Sequence, residues 1–252
     1  MIELRRVSRQ FGATRAVDDV SFAVARGEFL AIIGESGSGK TTTLNMINRL
    51  IEPTGGQVLV EGTDIASADP VALRRKIGFA FQEIGLFPHL TVAENIAITP
   101  RLLGWPRAEI ESRVAELLAL MRLDPALAAR MPAQLSGGQQ QRVGLSRALA
   151  AKPHIMLMDE PFGALDPLIR DELAADYRTI HDTLGLTTMM VTHDMTEALL
   201  LADRIGVMRN GRLLQIGPAR ELLSAPADGY VRAMLDMPRR RAGRLADALR
   251  DA

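Results

Sequence analysis

Apolar and polar positions divide the chain into three stretches. Over the first 80 residues strands dominate. Val20, Phe22 and Val24 recur at every second position, as do Ile77, Phe79 and Phe81, the period of a half-buried strand. Phe29 to Ile33 is instead a continuous apolar run ending at Gly34, which predicts a central strand covered on both faces. Beyond a glycine-rich segment, Leu44, Ile47 and Ile51 follow helical spacing until Pro53 stops the pattern. From about Glu83 to Ala150 the pattern becomes helical, and Ile110, Val114, Leu117, Leu118 and Met121 form an apolar stripe. This predicts a helical subdomain at 83–150 inserted in the core. Strand character returns at Ile155–Met158, Thr187–Val191 and Ile205–Met208, with a helix predicted over Leu168–Leu184. Alternation of that kind builds a parallel sheet with crossover helices. Asn210-Gly211, between two apolar runs, marks a hairpin. No internal repeat is present.

Composition narrows the function classes. At 252 residues, with 47% hydrophobic and 24% charged side chains, the chain can bury a sizeable core. Thirty basic side chains balance thirty acidic ones, which argues against a surface that coats a polyanion, so no nucleic-acid partner is expected. No apolar run approaches the roughly 18 residues of a membrane span, and the start, MIELRRVSRQ, lacks the apolar stretch of a signal peptide. A cytosolic chain is expected. The absence of cysteine excludes disulfides, thiolate metal sites and cysteine nucleophiles. The four histidines, His89, His154, His181 and His193, show no metal-ligand spacing.

The chemistry starts at Gly34-Glu35-Ser36-Gly37-Ser38-Gly39-Lys40-Thr41, which fits G-x4-G-K-[ST] between a predicted buried strand and a predicted helix. Small residues let backbone N–H groups converge on phosphate oxygens, the helix start adds its dipole, and Lys40 neutralises the β/γ-phosphates. Thr41 offers a hydroxyl to Mg²⁺, and Thr42 follows it. No NKxD-type guanine-recognition segment is present, so ATP is favoured over GTP. Ile155 to Met158 then delivers Asp159 and Glu160 at a strand end, where α/β sheets place ligands. Asp159 is predicted in the Mg²⁺ shell and Glu160 as the general base toward water.

With Leu135-Ser136-Gly137-Gly138-Gln139 running into a helical stretch, the chain resembles the ATP-binding cassette (ABC) ATPases over about residues 2–225. The resemblance implies an α/β fold: a P-loop core with an antiparallel β subdomain and an inserted α-helical subdomain, over residues 1–235. It implies further roles. Gln82 matches the Q-loop glutamine that touches Mg²⁺, Asp166 in Ala164-Leu165-Asp166 matches the D-loop, and His193 matches the switch histidine on the γ-phosphate. Phe11 sits where the family stacks an aromatic ring on adenine. In the family two cassettes pair head to tail, so that the signature of one closes over the ATP of the other. This chain carries one copy of each motif, so it is expected to dimerise with itself or with a homologous cassette.

Four kinds of cassette compete. The DNA-repair type needs a long coiled coil between the Walker motifs, and the translation-factor type carries two cassettes; the length excludes both. Exporters commonly fuse the cassette to membrane helices. A stand-alone cassette that powers separate permease subunits, peripheral on the cytoplasmic face of the inner membrane, fits best. Glu160 to Pro167 (EPFGALDP) resembles the wording of bacterial uptake cassettes. Leu44–Thr54, Ile84–Ile96 and the following ITPRLLGW are similar to cassettes importing glycine betaine, choline and related quaternary amines, which work with a solute-binding protein. Importers of amino acids or of nitrate and sulfonates are the alternative, as is a nucleotide-switched subunit uncoupled from transport.

The segment Gly85-Leu86-Phe87-Pro88-His89 is either a buried loop or, as the resemblance implies, the patch that docks a permease coupling helix. Many quaternary-amine cassettes continue into CBS domains; this sequence stops at Ala252, so osmotic gating by that route is not expected. Residues 236–252 read as a basic tail, with Arg239, Arg240, Arg241 and Arg244 as candidates for anionic lipid heads. Residues 238–252 carry five Arg and two Asp, so the rest of the chain is net negative by three. Affinity for a polyanion must therefore be local. One of only three lysines is Lys40.

Overall fold

The computed structural model describes residues 1–238. The tail arginines at 239, 240, 241 and 244 lie outside the described residues. The chain opens with two long antiparallel strands, β1 (Ile2–Phe11) and β2 (Thr14–Val24), followed by β3 (Phe29–Ile33) and the helix α1 (Lys40–Ile47). Next come β4 (Gly55–Val60), β5 (Thr63–Asp64), α2 (Pro70–Lys76) and β6 (Ile77–Ala80). The helical subdomain holds α3 (Val92–Leu102), α4 (Arg107–Leu120), two 3-10 turns and α5 (Gly137–Leu149). The remainder alternates: β7 (Ile155–Asp159), α6 (Pro167–Leu184), β8 (Thr187–Thr192), α7 (Met195–Leu201), β9 (Arg204–Arg209), β10 (Arg212–Gly217) and α8 (Ala219–Ser224). Residues 229–238 are helical.

Two sheets result. The first is antiparallel, in the order β2-β1-β4-β5; the second has six strands in the order β10-β9-β3-β8-β7-β6. All its neighbours are parallel except β9 and β10, whose hairpin turns at Asn210-Gly211 with Arg209 opposite Arg212. Strand β3 lies inside the six-stranded sheet and is buried at every position. Its side chains divide by the pleat: Phe29, Ala31 and Ile33 join the core shared with the helical subdomain and α6, whereas Leu30 and Ile32 join the core against α1 and the antiparallel sheet. A run without polar alternation is what a strand between two cores requires.

Three local expectations shift. The strand expected through Phe81 ends at Ala80, and Phe81 is exposed, because β6 is an edge strand paired only with β7 and the chain leaves the sheet there. The helix expected through Ile51 ends at Ile47: Arg49 is left-handed (φ 51), its N–H bonds back to Met46 O, and its guanidinium donates to the carbonyls of Ile65 and Ala68. The helical subdomain's first helix begins only at Val92; before it, Asn95, fully buried, donates to the carbonyls of Phe87, Leu90 and Thr91 and accepts from Phe87 N, wrapping residues 87–91 into a loop. Thr91 and Glu94 close that entry as a reciprocal cap.

The predicted stripe Ile110, Val114, Leu117, Leu118 and Met121 is buried. Below it, Arg142 of α5 is buried against Asp176 of α6 (2.8 Å) and donates to Met121 O (3.0 Å), tying the helical subdomain to the sheet's crossover helix. Asp176 also receives the exposed Arg122 (2.9 Å). Removing the guanidinium leaves a buried carboxylate with one exposed partner. Arg142→Ala is expected to cost about 3 kcal/mol of folding stability, read from urea denaturation followed by the fluorescence of Trp105, the only tryptophan. An unchanged midpoint would remove this pair from the fold's support.

Candidate functional site

Between β3 and α1 the chain makes a tight loop whose geometry is fixed by its neighbours in β9. A Cβ at Gly34 would overlap the Met208 carbonyl oxygen, and one at Gly39 the Ala16 carbonyl. Only backbone fits there. The loop therefore sits flush on the sheet end, with α1 starting at Lys40 and Gly39 as its N-cap. Thr43 secures the first turn by donating to Gly39 O (2.9 Å).

Lys40 is buried inside the loop it closes. Its Nζ donates to the carbonyls of Gly34 (2.8 Å) and Glu35 (3.0 Å), with Ser38 Oγ at 3.5 Å. Burial pushes its pKa down, and the nearby charges of Glu160 and Asp159 pull it back up. Thr41 Oγ1 donates to Asp159 Oδ1 at 2.9 Å, joining α1 to the end of β7. Burial raises the Asp159 carboxyl, Thr41's hydrogen bond opposes the rise, and Glu160 beside it adds to it.

Glu160 is a strained element of the site. It has left-handed backbone (φ 43), which a non-glycine residue adopts at a cost, while its N–H still continues the ladder to Val191 O (2.9 Å). The turn aims its carboxylate into the loop's mouth. There Glu160 Oε2 receives Gln82 Nε2 at 3.3 Å and lies 3.0 Å from His193 Nδ1. Gln82 and His193, from two strand ends, thus converge on one oxygen of Glu160, at the end of a third.

These groups surround a cavity of about 680 Å³ lined by Phe11, Ala16, Ser36 to Thr42, Gln82, Glu160 and His193. Its rim ring, Phe11, is 44% exposed and carries the Arg9 guanidinium 4.3 Å from its centroid, which leaves the opposite face open. Of the residues expected to bind nucleotide, Gly34 and Glu35 do not line this cavity; they serve it through the carbonyls that hold Lys40. Asp159 borders the adjoining groove behind Thr41. The spacing of motifs did not single out Ala16, whose contribution is a backbone carbonyl against the loop and so leaves no side-chain signal.

The LSGGQ segment and Asp166 lie elsewhere. Ser136 caps α5: its Oγ accepts from Gln139 N (3.3 Å) and Gln139 Oε1 accepts from Ser136 N (3.0 Å). Leu135 is buried, while the space a side chain would take at Gly137 is open, and a Cβ on Gly138 would press on Ile169. Among the described residues none of Leu135, Ser136, Gly137, Gly138, Gln139 and Asp166 lines the phosphate-loop cavity.

A second surface lies beyond Gln82. Gly85, Phe87, Pro88 and His89 are exposed, whereas Leu86 is half-buried and packs against the core shared with the helical subdomain. Asn95 holds the segment from α3, and Arg147 of α5 donates to the carbonyls of Ile84 and Gly85 (2.6 Å each). Phe81, Gln82, Phe87 and Arg147 border a groove of about 550 Å³.

A glycine-rich loop at the end of the parallel strand β3, a buried lysine within it and a carboxylate pair at the end of β7, the next strand but one, define a protein that handles nucleotide phosphates. A family model described as ABC transporter matches residues 17–163. The chain is 49% identical over 240 residues to the choline transport ATP-binding protein OpuBA of Bacillus subtilis, a match covering 95% of this chain and 63% of that protein. It is 51% identical over 232 residues to the glycine betaine uptake system ATP-binding protein YehX of Escherichia coli, covering 92% and 75%. The sulfate/thiosulfate import ATP-binding protein CysA of Caulobacter vibrioides is 48% identical over 234 residues, covering 91% and 68%. Among solved structures, the dimeric ATP-binding cassette MJ0796 in a post-hydrolysis state bound to ADP and Pi matches with TM-score 0.77 and 35% identity, covering 86% of this chain and 98% of that one. The chain belongs to the ABC transporter family, in its ATP-binding part. The match spans less than two thirds of the length of OpuBA, and likewise of the glycine betaine/carnitine/choline transport ATP-binding protein OpuCA of Bacillus subtilis, to which the chain is 48% identical over 240 residues.

Gly34 yields a test that separates packing from phosphate contact. Gly34→Ala is expected to lower folding stability by roughly 1–3 kcal/mol through overlap with β9. Gly37→Ala, where an added Cβ meets nothing within 4 Å, costs only its left-handed backbone (φ 77), about 1 kcal/mol. Chemical denaturation of both variants checks this order.

Proposed function

We propose that this chain is the ATP-hydrolysing subunit of a bacterial importer, and that its solutes are quaternary-amine osmoprotectants such as glycine betaine or choline. The convergence of Gln82 and His193 on the Glu160 carboxylate, at the mouth of the loop that holds Lys40, carries this reading. ATP would take the cavity with adenine on Phe11 and its phosphates along Ser36 to Thr42. Lys40 has no ion-pair partner among the described residues, so its ammonium is available to phosphate oxygens. Glu160 accepts the proton of the attacking water as general base, and His193 stabilises the γ-phosphate.

Thr41, Asp159 and Gln82 suit Mg²⁺: all offer oxygens, Thr41 and Asp159 already touch, and few protein ligands are what an ion that keeps waters and phosphates needs. Bound there, the ion would neutralise charge on the phosphates. Leu135 to Gln139 and Asp166, remote from the chain's own cavity, would serve the cavity of a second copy or a homologous cassette in a head-to-tail pair. The exposed groove beside Gln82 and Phe87 would dock the permease, which in turn meets a solute-binding protein. Among the described residues no helix is long and apolar enough to cross a membrane, which accords with a peripheral subunit on the cytoplasmic face of the inner membrane.

Solute choice rests on the kinship with choline and glycine betaine cassettes. Import of another small solute is the second reading, favoured by the 48% identity to a sulfate/thiosulfate cassette. Labelled choline, glycine betaine and sulfate uptake, with and without the gene, separates the two; loss of sulfate uptake alone would overturn the osmoprotectant reading. For the chemistry, Glu160→Gln is expected to bind ATP normally, accumulate a nucleotide-dependent dimer and lose at least about 100-fold in phosphate release. Undiminished release would take the base role from Glu160. Absence of release from the wild-type chain, alone and with its permease, would favour a nucleotide-switched binding subunit.

A further inference from the structure

Arg170 stands one helical turn into α6, at a junction no motif marks. Its guanidinium faces two loops at once. Toward the turn after Glu160, Nη2 donates to Leu165 O (3.0 Å) and lies 3.5 Å from Gly163 O. Toward the loop after β8, Nη1 lies 3.5 Å from Asp194 Oδ2, and Nε lies 3.9 Å from Glu197 Oε1 while making no hydrogen bond. The side chain is three-quarters buried, so these contacts are shielded from competing water.

The two loops end on the residues that matter. Leu165 precedes Asp166. Asp194 follows His193 and caps α7, accepting from Thr196 N (2.7 Å) and Glu197 N (3.4 Å). Thr192, on the other side of His193, donates to Glu197 Oε2 (2.7 Å) and accepts from Asp194 N (3.0 Å). His193 is thus held between two residues that both belong to a small network of Thr192, Asp194 and Glu197, and Arg170 is the cation of that network. Burial raises the Glu197 carboxyl, and the Arg170 charge counteracts the rise.

We propose that Arg170 is a positioning residue that links Asp166 to the His193 loop, so that docking of a second cassette on Asp166 sets the histidine in the chain's own cavity. The link rests on the head-to-tail ATPase reading given above. A guanidinium suits it because its planar fork reaches two carbonyls on one side and a carboxylate on the other; an ammonium is a single point charge. Movement of Asp166 by a partner shifts the carbonyl of Leu165, and the shift reaches Asp194 through one rigid group. Among the described residues Arg170 is not one of those lining the phosphate-loop cavity, so its loss is expected to leave ATP affinity in place.

The test is steady-state ATP hydrolysis by the 252-residue chain against ATP concentration. Arg170→Gln is expected to keep the KM for ATP within about twofold while lowering kcat about tenfold, and to drop the Hill coefficient from about 2 toward 1. Asp194→Asn, which retains a helix-capping side chain but not the charge, is expected to lose cooperativity in the same way. Arg170→Lys should recover part of kcat. Unchanged cooperativity in both Arg170→Gln and Asp194→Asn would overturn the proposal. So would a parallel fall in kcat, ATP affinity and Tm, which is the mark of a residue needed only for folding. Failure of the underlying ATPase reading looks different: the wild-type chain itself would release no phosphate.

Discussion

The structure turns on a buried ammonium with no carboxylate against it among the described residues. Lys40 is held by backbone carbonyls and a serine hydroxyl, groups that satisfy its hydrogens without cancelling its charge. Burial disfavours that charge, and Glu160 and Asp159, acting at longer range, oppose that effect. An anion entering the cavity meets a cation already desolvated and aimed. The rest of the fold serves that condition: β3 is sealed in two cores to fix the loop's root, and Gly34 lets the loop lie against β9.

A similar economy governs the carboxylates. Asp159 and Glu160 are adjacent in sequence, yet their environments separate them. Asp159 completes the buried strand and is bonded by Thr41, whereas Glu160 is turned out of the sheet by a left-handed backbone. The strain at Glu160 is offset by its ladder bond to Val191 and by the Phe162 side chain, fully buried two residues later. One residue of chain therefore delivers two acids with different neighbours: a hydroxyl for the first, an amide and an imidazole for the second.

Much of this was legible in the sequence because the determinants are local. The FLAII run, the glycine spacing around Lys40 and the Asn210-Gly211 turn each state their conformation within a few residues, and the family likeness of LSGGQ fixed the class. The breaks in the pattern were not legible, for physical reasons that lie far along the chain. Arg49 ends α1 early because its guanidinium caps carbonyls at 65 and 68. Residues 83–91 carry apolar side chains at helix-like intervals, but the buried Asn95 amide claims backbone groups of Phe87, Leu90 and Thr91, and Arg147 claims the carbonyls of Ile84 and Gly85. Ala16 and Arg170 escaped for the same reason, since each acts on a backbone carbonyl or loop brought near by the sheet.

Charge placement shows how one chain can be neutral and still bind polyanions. Arg142, Arg147 and Arg170 are each largely withdrawn from solvent and spent on carbonyls and carboxylates between elements. Their forks join α5 to α6, α5 to the loop after β6, and α6 to the loop after β8. Such arginines stiffen the paths between the cavity and its surroundings and add little to the field at the cavity. The lysine remains where a compact charge must fit within a backbone loop, and a guanidinium fork at position 40 would have to displace the carbonyls that hold it. At these four positions the work is divided: arginine for the joints, lysine for the phosphate.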